Sequence, residues 1–396
     1  MIKSFKVKLI PNNKQRTKLF SFAGAARYAY NWALEEEQKE YKSSKKFLSD
    51  SELRKRFTQY KKLEDNSWLR NISNNVTKQA IKDAGNAYKK FFKHLSLPPR
   101  FKSKKCSTPS FYQDTAKIKF TSTHVKLEKI SDDMRKTRKI LNYIRLAERN
   151  RIPTDAKYFN PRITYDGLDW WISVSIEYPN SNNKPCGEFV GIDLGIKNFA
   201  ICSDNNTYKN INKSKTVKDI KKKKRRLQRK ISRKYEKNKI KMKGGVFRYY
   251  KTKNVIKDEK LLLKINRRLT NIRKNYLHQV TSEIVKREPS FICLENLHVS
   301  GMLKNKHLSK AIQEECFYEF RRQIEYKSKD RNITVIFAPR FYPSSKLCSY
   351  CGYVKSDLKL SDRIYRCPKC GNAIDRDLQA AINLRNYGEQ QLQNLT

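Results

Sequence analysis

Residues 191–204 read GIDLGIKNFAICSD, and Asp193 stands in a segment that is otherwise apolar. An acid inside such a strand costs free energy unless something neutralises it. Gly191 and Gly195 permit close backbone approach, and a second strand, Phe199–Cys202, returns after a short turn. The stretch FICLENL, 291–297, repeats the device: four apolar residues, then Glu295, then Leu297 after one polar residue. A third acidic pair, Asp375 and Asp377, flanks Arg376 where a helical pattern, DLQAAINLRNY, begins. Two acids ending separate parallel strands and one from a helix packed on the sheet can meet at one point. That point suits two divalent cations and in-line attack on a phosphodiester, and hard carboxylate oxygens favour Mg²⁺. The expected ligands and catalytic groups are Asp193, Glu295 and Asp377. Asp377 is chosen because it shares a helix face with Ala380, Ala381 and Leu384, small and apolar enough to lie on a sheet. Asp375 shares its stripe with Gln379 and Asn386, away from that face, and sits where a capping acid satisfies free N–H groups.

Outward from this stretch, the pattern from Gly187 onward is α/β. Strands are expected at 189–193, 199–202, 290–297 and 333–338, with helices over 216–235 and 260–287 carrying apolar residues three and four apart. Residues 179–185 read as a linker, and the tail after Tyr387 reads as disordered. Residues 108–178 alternate apolar and polar side chains, with an Asp166-Gly167 turn between two strands, and fit a small barrel shared with the opening strand FKVKL. Residues 12–105 read as mainly helical, with a dense aromatic face from Leu19 to Trp32.

Cys348 and Cys351, then Cys367 and Cys370, form two CxxC pairs, each followed by a glycine, Gly352 and Gly371. This spacing predicts one tetrahedral Zn²⁺ with four thiolates and no open position, hence structural. Among the other cysteines, Cys202 and Cys293 read as small buried hydrophobes.

Lys and Arg outnumber Asp and Glu by 88 to 38 in 396 residues, a formal charge of +50. Such a chain repels itself unless a polyanion neutralises it, and a phosphate backbone is the expected one. No apolar run is long enough to span a membrane, no small-molecule substrate is indicated, and no secretion signal is evident, so a reducing compartment is expected. The run KDIKKKKRRLQRKISRK, 218–234, places Lys222, Lys223, Arg225, Arg226 and Arg229 on a helical pattern suited to tracking a nucleic-acid backbone. Lys78, Gln79 and Lys82 share a face of an earlier helix with Asn75 and can reach base edges in a groove. Tyr235, Tyr249 and Tyr250 lie among further Lys and Arg and can stack on bases.

The stretches GIDLGIKNFA, FICLENLHVSGMLKN, RFYPSSKLCSYCG and CPKCGNAIDRDLQAAINL, in that order, resemble the transposon-encoded TnpB family, relatives of the compact type V CRISPR nucleases. RYAYNWAL and PPRFKSKK in the N-terminal half are similar too, so nearly the whole chain is covered. One departure is Gln379, where the family commonly has Asn. The resemblance implies an α+β multidomain protein: a β-barrel wedge (1–10 and 108–185), a helical recognition domain (11–107), an RNase H-like RuvC nuclease domain (186–344 and 373–396) and an inserted zinc knuckle (345–372). It further implies an endonuclease that carries a guide RNA from its own element, reads a short motif beside the target, and cuts double-stranded DNA at one RuvC site. In the family pattern the second acid of the Asp-Arg-Asp motif is catalytic. A prokaryotic host would place the protein at the nucleoid, a eukaryotic or viral source in the nucleus. A DNA-transposing recombinase of the same fold needs the same acids, and a guided repressor without cleavage is disfavoured by all three being present.

Overall fold

A computed structural model describes residues 2–130, 140–179, 185–242, 244–359 and 361–394. The chain divides into two compact units, Met1–Pro179 and Asn180–Thr396. Most of the linker expected at 179–185 lies outside the described residues.

In the first unit, β1 (Ile2–Ile10) alternates outward lysines with inward Val7 and Leu9. Helix α1 (Asn13–Ser44) starts at a capping box between Asn12 and Gln15, and α2 (Asp50–Tyr60) at one between Ser49 and Glu52. Helix α3 runs Asn74–Phe92. Six strands follow: β2 (Ser110–Tyr112), β3 (Lys119–Phe120), β4 (His124–Lys126), β5 (Tyr143–Leu146), β6 (Tyr158–Tyr165) and β7 (Trp170–Glu177). They join β1 in one antiparallel sheet ordered β2-β6-β7-β1-β5-β4-β3. The Asp166-Gly167 turn links β6 to β7, with Gly167 at φ 92° and the Asp166 carboxylate accepting from the Leu168 and Asp169 amides.

Two expectations change here. The sheet is not a barrel closed by backbone pairing: among the described residues β2 and β3 are its edges, both too short to zip together. Side chains bridge instead, with Phe120 packed on Tyr158 at 4.8 Å between ring centroids. Nor are the helices and strands separate domains. Phe22 meets Phe111 edge-on at 5.5 Å, Phe20 covers Trp170 at 4.9 Å, and one continuous core holds both. The helices bury their aromatic face on one face of the sheet, so neither layer keeps a core of its own.

The second unit begins with β8 (Val190–Leu194), β9 (Asn198–Cys202) and β10 (Thr207–Lys209). Helices α4 (Lys215–Lys237) and α5 (Lys253–Lys286) pack Val217, Ile220, Leu227 and Ile231 against Ile265 and Leu269. Between them lies a small hairpin, β11 (Lys239–Lys241) with β12 (Phe247–Tyr249). Then come β13 (Phe291–Glu295), α6 (Phe317–Lys329), β14 (Thr334–Ala338), a ribbon of β15 (Ile364–Arg366) with β16 (Ala373–Asp375), and α7 (Arg376–Gln393). The main sheet is ordered β10-β9-β8-β13-β14; β8 to β10 are antiparallel, and β13 lies parallel to both β8 and β14. Helix α7 extends through the tail expected to be disordered. Gly388 is buried there against Phe291 and Cys293, and Leu392 packs on the same cluster, so burial holds the last turns.

Candidate active site

The register Leu294↔Ile192 puts Glu295 and Asp193 side by side at the C-terminal ends of two adjacent parallel strands. Helix α7 crosses the same strands. A Cβ built on Gly191 would fall 2.0 Å from the Ala381 carbonyl oxygen and 2.4 Å from the Arg385 nitrogen. Glycine is therefore what lets the helix backbone rest on β8, and Asp377, in the first turn of the helix, stands one turn before this contact. Asp375 caps it as expected, its carboxylate accepting from the Asp377 amide (2.9 Å) and the Leu378 amide (3.1 Å).

Burial pushes the Asp193 carboxyl well above its ordinary range, and the charges of Glu295 and then Asp377 push it further. Asp377 weighs on it more than Asp375 does, while Arg376 acts in the opposite sense. Burial likewise raises Glu295, opposed by a hydrogen bond from the Ser344 hydroxyl to its Oε1 (2.6 Å). Among the described residues no donor hydrogen-bonds the Asp193 carboxylate. With Asp193 uncompensated, the three acids could serve as donors to a hard dication. Their oxygens do not crowd onto one point: among the described residues only the four cysteines bring three or more ligand atoms within 4.8 Å of one another. A site for two ions about 3.5–4 Å apart spreads its ligands more widely than a site for one. Glu295 is drawn toward Ser344, and Asp377 lies 3.6 Å from Arg376.

The cysteines form two matching knuckles. In each, the glycine amide donates to the carbonyl of the first Cys (Gly352 to Cys348 and Gly371 to Cys367, both 3.0 Å). The first Cys amide in turn donates to the residue past the glycine (Cys348 to Tyr353 and Cys367 to Asn372, both 2.8 Å). Both glycines take φ 71°, the left-handed region that favours glycine. Sulfur pairs lie at 3.7 Å (Cys348, Cys370) and 3.5 Å (Cys351, Cys367), close to the ~3.8 Å edge of a tetrahedron with Zn–S bonds of about 2.3 Å. Against opposing burial, the Cys370 and Lys369 amides and the neighbouring thiols draw Cys367 down to about 6, toward the thiolate that binds metal. Cys202 and Cys293 are buried in the sheet, as small hydrophobes should be.

The knuckle and the acid site share their supports. Gln379, fully buried, donates to the Leu347 carbonyl (2.6 Å) and accepts from Ser349 (2.9 Å). Asn383 donates to the Leu347 (2.6 Å) and Ser344 (2.7 Å) carbonyls. The stripe through Gln379, read as turned away from packing, therefore holds the loop that carries Ser344 and Cys348. Sequence reasoning missed Ser344 altogether. Its one signal was a serine between an acid-bearing strand and the first cysteine, too common to single out.

The expected nucleic-acid contacts fall in both units. Lys222, Lys223, Arg225, Arg226 and Arg229 are all exposed along α4. Lys78 and Lys82 are exposed on α3, but Gln79 is half-buried and donates to Asp83 (2.9 Å), which pairs with Arg162 (2.8 Å). Tyr235 is a packing residue: its hydroxyl donates to Glu259 (2.5 Å). Tyr249 packs on the Tyr235 ring, and Tyr250 is two-thirds exposed.

Three family models match this chain: "Helix-turn-helix domain" over residues 1–46, "Probable transposase" over 172–306, and "Cas12f1-like, TNB domain" over 317–384. The protein described as "Putative RNA-guided DNA endonuclease InsQ" of Escherichia coli K12 is 26% identical over 98% of this chain and 92% of its own. "TnpB-like protein L79" of Acanthamoeba polyphaga mimivirus is 33% identical over 32% of this chain and 25% of its own. The chain belongs to the TnpB family. A solved structure described as "Cryo-EM structure of the Cas12f1-sgRNA-target DNA complex" has the same fold, with TM-score 0.61 and 14% identity over 98% of this chain and 99% of that one. In this TnpB-family chain the segment that matches the Cas12f1-like domain runs from α6 through both cysteine pairs and Asp377 to Leu384. Among the described residues no helix is long and apolar enough to cross a membrane.

Proposed function

We propose that this protein is an RNA-guided DNA endonuclease whose second unit is an RNase H-like (RuvC) nuclease. The observation that carries the proposal is the meeting of Asp193 and Glu295, on adjacent parallel strand ends, with Asp377 at the start of the crossing helix. Asp193, Glu295 and Asp377 would hold two Mg²⁺, and the four cysteines one Zn²⁺. When bound, the Mg²⁺ pair supplies the charge that stabilises in-line displacement at a phosphodiester. Ser344 orients Glu295, and Asp375 fixes the helix turn that presents Asp377. Lys222, Lys223, Arg225, Arg226 and Arg229 offer phosphates a cationic track.

The strand order of the second unit supports the nuclease reading, and the names of the relatives support guidance by RNA. In this reading a guide RNA from the same transposon pairs with one target strand. Lys78 and Lys82, with Gln79 braced by Asp83, meet the short motif beside a double-stranded target. Sequencing RNA copurified with the protein, then supplying a target matched to it, tests the reading. One defined transcript and Mg²⁺-dependent cutting of the matched target only is the expected result. RNA-free protein that cuts or joins unmatched DNA equally well would favour the recombinase instead.

A further inference from the structure

The loop between β14 and the first knuckle splits its aromatic residues. The Tyr342 amide closes a tight turn onto the Pro339 carbonyl (3.0 Å), and the Tyr342 ring turns inward onto Tyr387 at 4.9 Å. Phe341 is thereby sent outward and is 87% exposed, more than any other aromatic side chain among the described residues. A lone exposed phenylalanine on a mobile loop would mean little. Here the backbone on either side is anchored, and the ring stands where chemistry is expected: one open cleft is lined by Glu295, His298, Arg340 and Phe341. The register Glu295↔Ala338 explains the closeness, since Arg340 and Phe341 leave the sheet two and three residues past the partner of Glu295.

Arg340 is also positioned. Its guanidinium donates to Nδ1 of His298 (2.8 Å), and Ser300 Oγ lies 2.9 Å from Nε2 of the same ring. The guanidinium stands over the Phe341 ring at 5.4 Å. A cation and an upright ring beside clustered carboxylates match the two parts of a nucleotide: its phosphate and the flat face of its base.

We infer that Phe341 and Arg340 form a binding site for one unpaired nucleotide next to the scissile bond, the ring stacking on the base and the guanidinium meeting the adjoining phosphate. Because a base within a duplex is stacked on both faces, the strand in this site is single-stranded at that nucleotide. The inference rests on the nuclease reading and makes Phe341 a positioning residue.

The test uses the guide-loaded protein with targets carrying 2-aminopurine at successive positions around the cut. Before Mg²⁺ is added, binding should brighten 2-aminopurine at the opened positions, and one of them should stay quenched because its base stacks on the ring. Phe341→Ala should abolish that quenching and Phe341→Trp should keep it. Once Mg²⁺ is present, an abasic nucleotide at that position should slow wild-type cutting about tenfold, and Phe341→Ala no further. Quenching at no opened position, or an abasic site that slows both proteins equally, overturns the inference. If the wild type binds a guided target and never cuts it, the nuclease reading fails, while the fluorescence result still decides the stacking site.

Discussion

Ser344 donates a 2.6 Å hydrogen bond to Oε1 of Glu295, joining the loop ahead of the cysteine knuckles to the end of a sheet strand. The bond lowers the cost of a buried carboxylate and fixes which oxygen stays open. Ser344→Ala should leave the fold intact and cut guided cleavage roughly 10–100-fold, as loss of a partner behind a metal ligand does. A Mg²⁺ titration checks it: the midpoint should move to higher concentration, and an unchanged midpoint would remove Ser344 from the site.

On the proposed reading, Asp375 and Asp377 divide their labour on one helical turn. Asp377→Ala should abolish cleavage while guided DNA binding survives. Asp375→Ala should cost about 1 kcal/mol of stability as a lost cap and leave measurable cutting. Gel-shift and cleavage assays on both variants read the contrast directly, and the reverse pattern would refute the assignment.

At Gly191 even one methyl group collides with helix backbone, not with a side chain that can swing aside. Gly191→Ala should cost about 3 kcal/mol or more. It should also cost cutting, since α7 must lift and carry Asp377 with it. Thermal melting paired with cleavage measures both.

Purified protein should contain one equivalent of zinc, and Cys367→Ser should lose it. Because Gln379 and Asn383 tie the knuckle loop to α7, zinc loss should also lower cleavage, despite a fully ligated metal having no open position. Elemental analysis with less than half an equivalent in folded protein would contradict this.

Glu315 is buried with Oε1 accepting from Asn210 (2.5 Å), and among the described residues no hydrogen bond reaches Oε2. Burial raises its carboxyl to about 6. The folded protein thus holds this proton more tightly than the unfolded chain, so stability falls as pH rises from the ordinary glutamate value through about 6. Glu315→Gln should stabilise on the order of 1–2 kcal/mol above pH 7 and little at pH 4. Melting curves at the two pH values should therefore diverge; an equal shift at both would show that ionisation is not the cause.

Much of the site could be read from the chain because its chemistry breaks local rules. Asp193 and Glu295 are acids in apolar strands, and the paired CxxC spacing has few other uses. The α4–α5 stripe from Val217 to Leu269 followed directly from helical spacing. What stayed hidden depends on partners distant in sequence. Ser344 matters only because the loop folds back to Glu295, and Gln379 is buried only because the Leu347 carbonyl needs a donor. That Asp83, itself paired with Arg162, braces Gln79 is likewise not visible in helical spacing. The shared core of the first unit was hidden too, since alternation along a strand does not say which layer covers it.

The acids at 193, 295 and 377 stand far apart along the chain. Each arrives on an element that closes only after long intervening segments have folded, and such loop closures come late and slowly. A half-folded chain holds its carboxylates in separate places. On the proposed reading, its capacity to break DNA is therefore among the last properties to emerge during folding.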